Sequence, residues 1–261
     1  MEQNIEKIKS IYESVMALKV SDVKLLSENS LHCNYLITTN LANFAVLRLP
    51  KESTSSFQDF VKEYKITLKT QQTPFDIECY YFDTTEGVKI TKYIATTQIL
   101  NKDSSERTIE NVTVAIKNFH NFNYNLDYSF NVIEKINLIK HALGVDMLVE
   151  NEKEILNNFE TVRKTYPSVF CHNYLLPTNI LIRNNDIFFI NYIFFGKNIA
   201  LFDLAVMLTS CGINDKRTVS NVLLHYFRDS NDKYYRDYLI VKRVVDLYLN
   251  SLSKLSLDKI L

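Results

Sequence analysis

Cys171-His172-Asn173-Tyr174-Leu175-Leu176-Pro177-Thr178-Asn179-Ile180-Leu181 is the stretch on which the reading of this chain turns. It belongs to a segment, 168–195, in which two short apolar runs flank polar turns. A strand-like run at 186–190 ends in Asn191-Tyr192, and Phe202-Asp203-Leu204-Ala205 then opens a helix. Long helical periodicities lie on both sides: 109–120, 132–143 and 152–166 before it, and 201–211, 216–227 and 233–255 after it.

The first 95 residues read differently. Ile5, Ile8, Ile11, Tyr12, Val15 and Met16 recur at helical spacing and predict an amphipathic first helix within 1–18. Segments 34–39 and 43–49 read as a hairpin about the turn-prone Thr39-Asn40, closed by Pro50. A helix is expected over 56–70, with Phe57, Phe60, Val61 and Tyr64 on one face, and further strands at 77–83 and 87–93. The expected architecture is α+β: a small β-rich lobe over 1–95 and a larger, mainly helical lobe over 96–261, hinged near 93–97. A cleft between two such lobes is where a small ligand is expected.

The pattern His172-x-Tyr174-x₄-Asn179, then Ile190-Asn191-Tyr192-Ile193, then Asp203-Leu204-Ala205 resembles the choline and ethanolamine kinase family. That family, with its LicA-type bacterial members, has an aminoglycoside-phosphotransferase-like kinase fold and the pattern H-x-D-x-x-x-x-N, I-D-W-E-Y, D-L-A. The resemblance extends through Asn34-Tyr35-Leu36-Ile37, Val46-Leu47-Arg48, Glu63, Lys89-Ile90-Thr91-Lys92-Tyr93-Ile94 and Phe119-His120-Asn121, in the family's order. It implies a two-lobed protein-kinase-like fold. It also implies a nucleotide contacted by Arg48, Glu63, Tyr93 and Ile94, and a loop ordered by His172 and Asp203. Asp203 is further expected to cap the helix that follows. For Arg48 with Glu63, a residual structural ion pair stands beside nucleotide contact.

Against that pattern the chain lacks three carboxylates. The family's catalytic aspartate is Tyr174, its metal aspartate Asn191 and its following glutamate Ile193. Phosphoryl transfer depends on positioning and on neutralising the phosphates, chiefly with magnesium. A phenol of pKa near 10 is a poor proton acceptor at neutral pH, and a general base typically contributes about 10²–10⁴-fold. Asn179 and Asn191 are left as the metal positions, without the charge that magnesium favours. The family's phosphate-loop glycines correspond to Ser27-Glu28-Asn29-Ser30-Leu31-His32, which has none, and Glu28 would repel a triphosphate if turned inward. On the substrate side, Tyr192 and Phe202 stand at the family's tryptophans, and Tyr234, Tyr235 and Tyr238 are candidates to line a pocket.

Composition narrows the alternatives. In 261 residues, 46% are apolar and 23% charged, and 30 basic side chains balance 30 acidic ones. No global field draws nucleic acid or an anionic membrane. Four widely spaced cysteines read as free thiols of a reducing compartment. No signal peptide or membrane-spanning run is evident, so a cytoplasmic protein is expected, without membrane insertion. His32, His141 and His225 stand isolated and are assigned nothing. Two functions remain open. One is a pseudokinase-type binding or regulatory protein with a protein partner and no required cofactor. The other is an active ATP- and magnesium-dependent kinase of choline or a similar small alcohol, using a rearranged metal site.

Overall fold

Alternating apolar positions and one buried helix face build the first unit. The computed structural model describes residues 2–28, 32–51, 59–96 and 98–257, and the chain divides into two units, Met1–Ala95 and Thr96–Leu261. Helix α1 (Glu2–Met16) is followed by an antiparallel sheet of β1 (Val20–Glu28), β2 (His32–Thr39), β3 (Phe44–Pro50), β4 (Cys79–Phe82) and β5 (Lys89–Lys92), in the order β1-β2-β3-β5-β4. The core forms where Ile8 and Tyr12 of α1 meet Ile37, Ala45, Leu47, Val88 and Ile90. The β2–β3 hairpin closes through the Thr39 N–H to Asn43 C=O bond.

Two expectations change here. Strand β1 has no counterpart in the sequence reading: it is an edge strand, largely exposed, so its apolar alternation is weak. The second helix, α2 (Phe60–Thr70), starts later than expected because the Asp59 side chain accepts the Lys62 N–H at 2.8 Å and caps it there. Phe57 lies outside the described residues, as do Asn29, Ser30 and Leu31 of the candidate phosphate loop.

The second unit is built from α3 (Glu106–Asn121), α4 (Val132–Leu143), α5 (Glu152–Arg163), α6 (Ala200–Ser210), α7 (Lys216–Phe227) and α8 (Asp232–Leu257). Between α5 and α6 run β6 (Ser168–Cys171), a 3-10 turn at Pro177–Asn179, β7 (Ile180–Arg183), β8 (Asp186–Phe189) and β9 (Gly196–Ile199). Strand β6 pairs with β9 and β7 with β8, both antiparallel. Helix α6 is apolar nearly all round and buried from Ala200 to Leu208, the pattern of a central helix. Against it packs α8, which also carries α4 and α5, while α3 packs on α7. Asp203 is the fourth residue of α6 and not its cap; Ile199 occupies that position without a side-chain bond. Among the described residues no helix is long and apolar enough to cross a membrane, and the four cysteines are free thiols.

Gly196 opens β9 against the backbone of Ser129 and Phe130, where an added Cβ would lie 2.8 Å from the Ser129 carbonyl carbon. Backbone cannot yield as a flexible side chain can. Gly196→Ala is therefore expected to cost roughly 1–3 kcal/mol, as overpacking does, read as a fall in Tm by thermal unfolding. An unchanged Tm would show that the β9 approach is looser than its geometry.

Candidate functional site

The site in the second unit grows from one carboxylate. Asp203 is fully buried, and a buried charge is tolerated only with hydrogen-bond donors around it. Its Oδ2 accepts the His172 N–H at 2.7 Å and its Oδ1 the Asn173 N–H at 2.6 Å, so it grips the loop after β6 by the backbone. Its Oδ2 also faces Nε2 of His120 at 2.9 Å, and Nδ1 of His120 faces the Tyr226 hydroxyl at 2.6 Å. Burial raises the Tyr226 phenol, which stays protonated at neutral pH. His120 thus bridges the Asp203 carboxylate and the Tyr226 hydroxyl through its two ring nitrogens.

Both ring nitrogens of His172 are engaged by backbone groups. Its Nδ1 accepts the Tyr174 N–H at 3.3 Å and its Nε2 donates to the Ile190 carbonyl at 2.8 Å. Burial lowers its pKa, in keeping with a neutral ring satisfied on both sides. Asn173 adopts a left-handed φ of 61° and donates through its side-chain amide to the carbonyls of Phe194 and Gly196, at 2.9 and 3.1 Å. Its own Oδ1 accepts from Asn198 at 2.9 Å. The sequence reading did not single out Asn173, Asn198 or Tyr226, because each acts through a partner distant in the chain.

Tyr174 enters this network only through its backbone. Its carbonyl accepts from Asn179 Nδ2 at 2.8 Å, while its ring is buried edge-on to Phe194 at 5.2 Å and its hydroxyl is pushed up by burial. Asn191 donates from Nδ2 to Asn179 Oδ1 at 3.4 Å, and its own buried Oδ1 has no partner among the described residues. Asn179 and Asn191 are therefore brought together, but as two neutral amides with one oxygen already engaged by a donor. Magnesium sites rely on one or two carboxylates. Asp203 is spent on the loop, and Asp186 pairs with Arg183 at 3.1 Å with 61% of its side chain exposed. These residues do not fit a magnesium site. His120, Cys171 and Asp203 also cluster as potential metal ligands, but their contacts belong to the loop-holding knot, and burial with the Asp203 charge raises the Cys171 thiol well above its usual range.

The five aromatics proposed for the substrate go to different places, and Tyr238 is buried beside the Tyr235 ring at 6.2 Å. Tyr192 packs on Phe119, His172 and Phe195, with its hydroxyl donating to the Phe189 carbonyl at 2.7 Å. Phe202 packs among Phe130, Phe159 and Tyr248. Tyr234 stacks flat on Phe227 at 4.2 Å, and Tyr235 lies under the Lys216 ammonium at 5.4 Å. Tyr192 and Phe202 are both fully buried, serving as core.

In the first unit, Arg48 of β3 holds Glu63 of α2 with its two terminal guanidinium nitrogens, at 2.5 and 3.0 Å, and donates to the Gly87 carbonyl at 3.2 Å. Burial alone would raise the Glu63 pKa; Arg48 and Lys89 outweigh it and hold the carboxyl low. Lys89 is Arg48's partner across β3–β5; it is buried, bonded to Thr67 Oγ1 at 3.1 Å, and shares the Phe82 ring with Arg48. Glu28 is paired with Lys51 at 2.6 Å. Tyr93, beside the Phe44 ring, and the buried Ile94 follow β5. His32, assigned nothing from the sequence, is buried, and burial and then the Arg48 charge push its pKa down to about 3.

Two outcomes are expected. Asp203→Asn replaces an acceptor by an amide and leaves loop N–H groups facing a donor; it is expected to cost roughly 3–5 kcal/mol. A loss below about 1 kcal/mol in denaturant unfolding would mean packing alone holds the loop. His32 titrates near 6.5 when unfolded and about 3 when folded. Below pH 6.5 the unfolded chain takes a proton that the folded chain refuses, so stability falls on acidification, approaching about 1.4 kcal/mol per pH unit. Asp76, raised from 3.8 to about 6 by burial, works in the opposite sense between those values. The His32→Gln variant therefore isolates the effect: it is expected to lose less stability than the parent from pH 6.5 to 4.5, and equal losses would refute the assignment.

The comparisons with known proteins agree with this architecture. No protein-family model matches the chain. It is 22% identical over 212 residues to Protein LicA of Haemophilus influenzae (strain ATCC 51907 / DSM 11121 / KW20 / Rd), covering 78% of each chain. The crystal structure of choline kinase LicA from Streptococcus pneumoniae matches with a TM-score of 0.78 at 19% identity, over 96% of this chain and 91% of that one. A crystal structure of LicA in complex with AMP matches with a TM-score of 0.71 at 17% identity, over 96% and 97% of the two chains. Choline/ethanolamine kinase and aminoglycoside phosphotransferase structures share the fold. This chain is thus similar in sequence to LicA and shares the two-lobed kinase-like α+β fold of the choline/ethanolamine kinases and aminoglycoside phosphotransferases.

Proposed function

We propose that this chain is a choline-kinase-like, nucleotide-binding protein whose transfer of phosphate from ATP to a small alcohol such as choline is absent or strongly impaired. The observation that carries this reading is a fully built loop around missing charges. Asp203 and His172 are satisfied as in a working scaffold, while Tyr174 and Asn191 bring no carboxylate. The likeness to LicA structures, one of them in complex with AMP, supports a nucleotide as ligand and a small alcohol as the ancestral substrate class.

The chemistry follows from the residues present. Bound magnesium supplies charge neutralisation to the phosphates in this reaction class. On this chain, Asn179 and Asn191 offer only amide dipoles. A protonated Tyr174 phenol, raised further by burial, accepts no proton from an alcohol at neutral pH. Arg48 is committed to Glu63 and Gly87, which favours its reading as scaffold in this state. Such a protein acts by what it binds, and a protein partner is the consistent route to a biological effect.

ADP release with ATP, magnesium and choline tests this. No turnover above background is expected from the parent chain. The double variant Tyr174→Asp with Asn191→Asp is expected to regain magnesium-dependent ADP formation, by about 10²-fold or more over the parent, the lower range of a general base's contribution. Turnover by the parent chain at roughly 1–100 s⁻¹, ordinary for a kinase, would overturn the reading.

A further inference from the structure

We infer that a cavity between the start of α5 and the second half of α8 is a binding site for a short aliphatic carboxylate, a further ligand site of this chain. It shares no residue with the loop that Asp203 holds, and it stands independently of the nucleotide-binding reading.

The cavity holds about 260 Å³ where residues 144–151 lead from α4 into α5 and α5 packs on α8. An apolar cavity of about 150 Å³ is already enough for benzene. Part of the lining is aliphatic: Leu148, Val149, Ile155 and Leu247. Ile155 and Leu247 are buried, whereas Val149 is 40% exposed and marks the mouth, and Met147, two residues before it, is 53% exposed. Apolar side chains kept wet around a concave space are the surface that an alkyl chain covers with gain.

The rest of the lining is polar, and its charges do not cancel. Asp246 is paired with Lys242 at 2.8 Å, and Arg243 with Glu154 at 3.2 Å. Lys254 lines the same cavity and has no acceptor among the described residues, so one ammonium is left over. Asn151 stands at the N-cap position of α5 without making a side-chain capping bond, and the Asn250 amide is unengaged among the described residues. One ammonium and two amides are donors for a single negative head group. A carboxylate matches them in charge, and its two oxygens accept several bonds at once. A dianionic phosphate would also face the Asp246 and Glu154 carboxylates. A cationic head group would meet Lys254 and find Asp246 already taken. A wholly apolar ligand would cover the ammonium without giving it a partner.

The test is calorimetric titration of the full chain with octanoate, octan-1-ol and octylammonium, each below its aggregation concentration. Octanoate is expected to bind about 10-fold tighter than octan-1-ol, the worth of one hydrogen bond to a charged group, and octylammonium to bind weakest. Val149 and Lys254 are both exposed, so replacing them leaves the core untouched. Lys254→Glu is expected to bring octanoate down to the affinity of octan-1-ol or below, and Val149→Trp to weaken all three ligands by filling the mouth. No octanoate binding at millimolar concentration, equal affinity for octanoate and octan-1-ol, or a preference for octylammonium would overturn the inference. So would octanoate binding that either variant leaves unchanged, which would place the ligand elsewhere on the chain.

Discussion

A fully buried carboxylate that receives two backbone N–H groups and one imidazole is the interaction on which the second unit depends. Asp203 costs free energy to bury, and the loop after β6 and the His120–Tyr226 pair offset that cost. Because it holds His172 and Asn173 by their amides, the loop keeps its path whatever side chain follows them. Asn173 extends the hold to Phe194 and Gly196, tying the loop to the start of β9.

That arrangement explains how the chemistry at Tyr174 can change while the fold does not. Position 174 contributes an N–H to His172 and a carbonyl to Asn179, and any residue except proline supplies both. Its side chain is outside the network and is free to join the aromatic packing at Phe194. The same holds for Asn191, whose neighbour Ile190 makes the structural bonds, accepting from His172 and donating to the Asn179 carbonyl. Scaffold and chemistry are written on different atoms.

The first unit shows the opposite balance. Arg48, Glu63 and Lys89 remain, buried and mutually compensated, with Phe82 beneath both cations. Removing one member of such a group would leave an uncompensated buried charge. In the second unit Tyr174 and Asn191 carry no charge, and the bonds that hold their loop run through backbone atoms of positions 174 and 190.

Helical periodicity and the order of polar turns made most elements legible: α3, α4 and α6 to α8 lie close to their expected spans, and the loop from Cys171 to Leu181 stood out on its own residues. The absence of carboxylates at Tyr174, Asn191 and Ile193 is a fact of the sequence alone. Tertiary structure decided the rest. Edge strand β1 is held by pairing with β2 and not by its own alternation. The fates of Tyr192, Phe202, Tyr234 and Tyr235 depended on which rings their helices and strands brought near, and the weight of His32, Lys89 and Tyr226 on partners elsewhere in the chain. His120 meets Asp203 across 83 residues and Tyr226 across 106. Local spacing reports the face a side chain occupies; only the folded chain reports what waits on the other side.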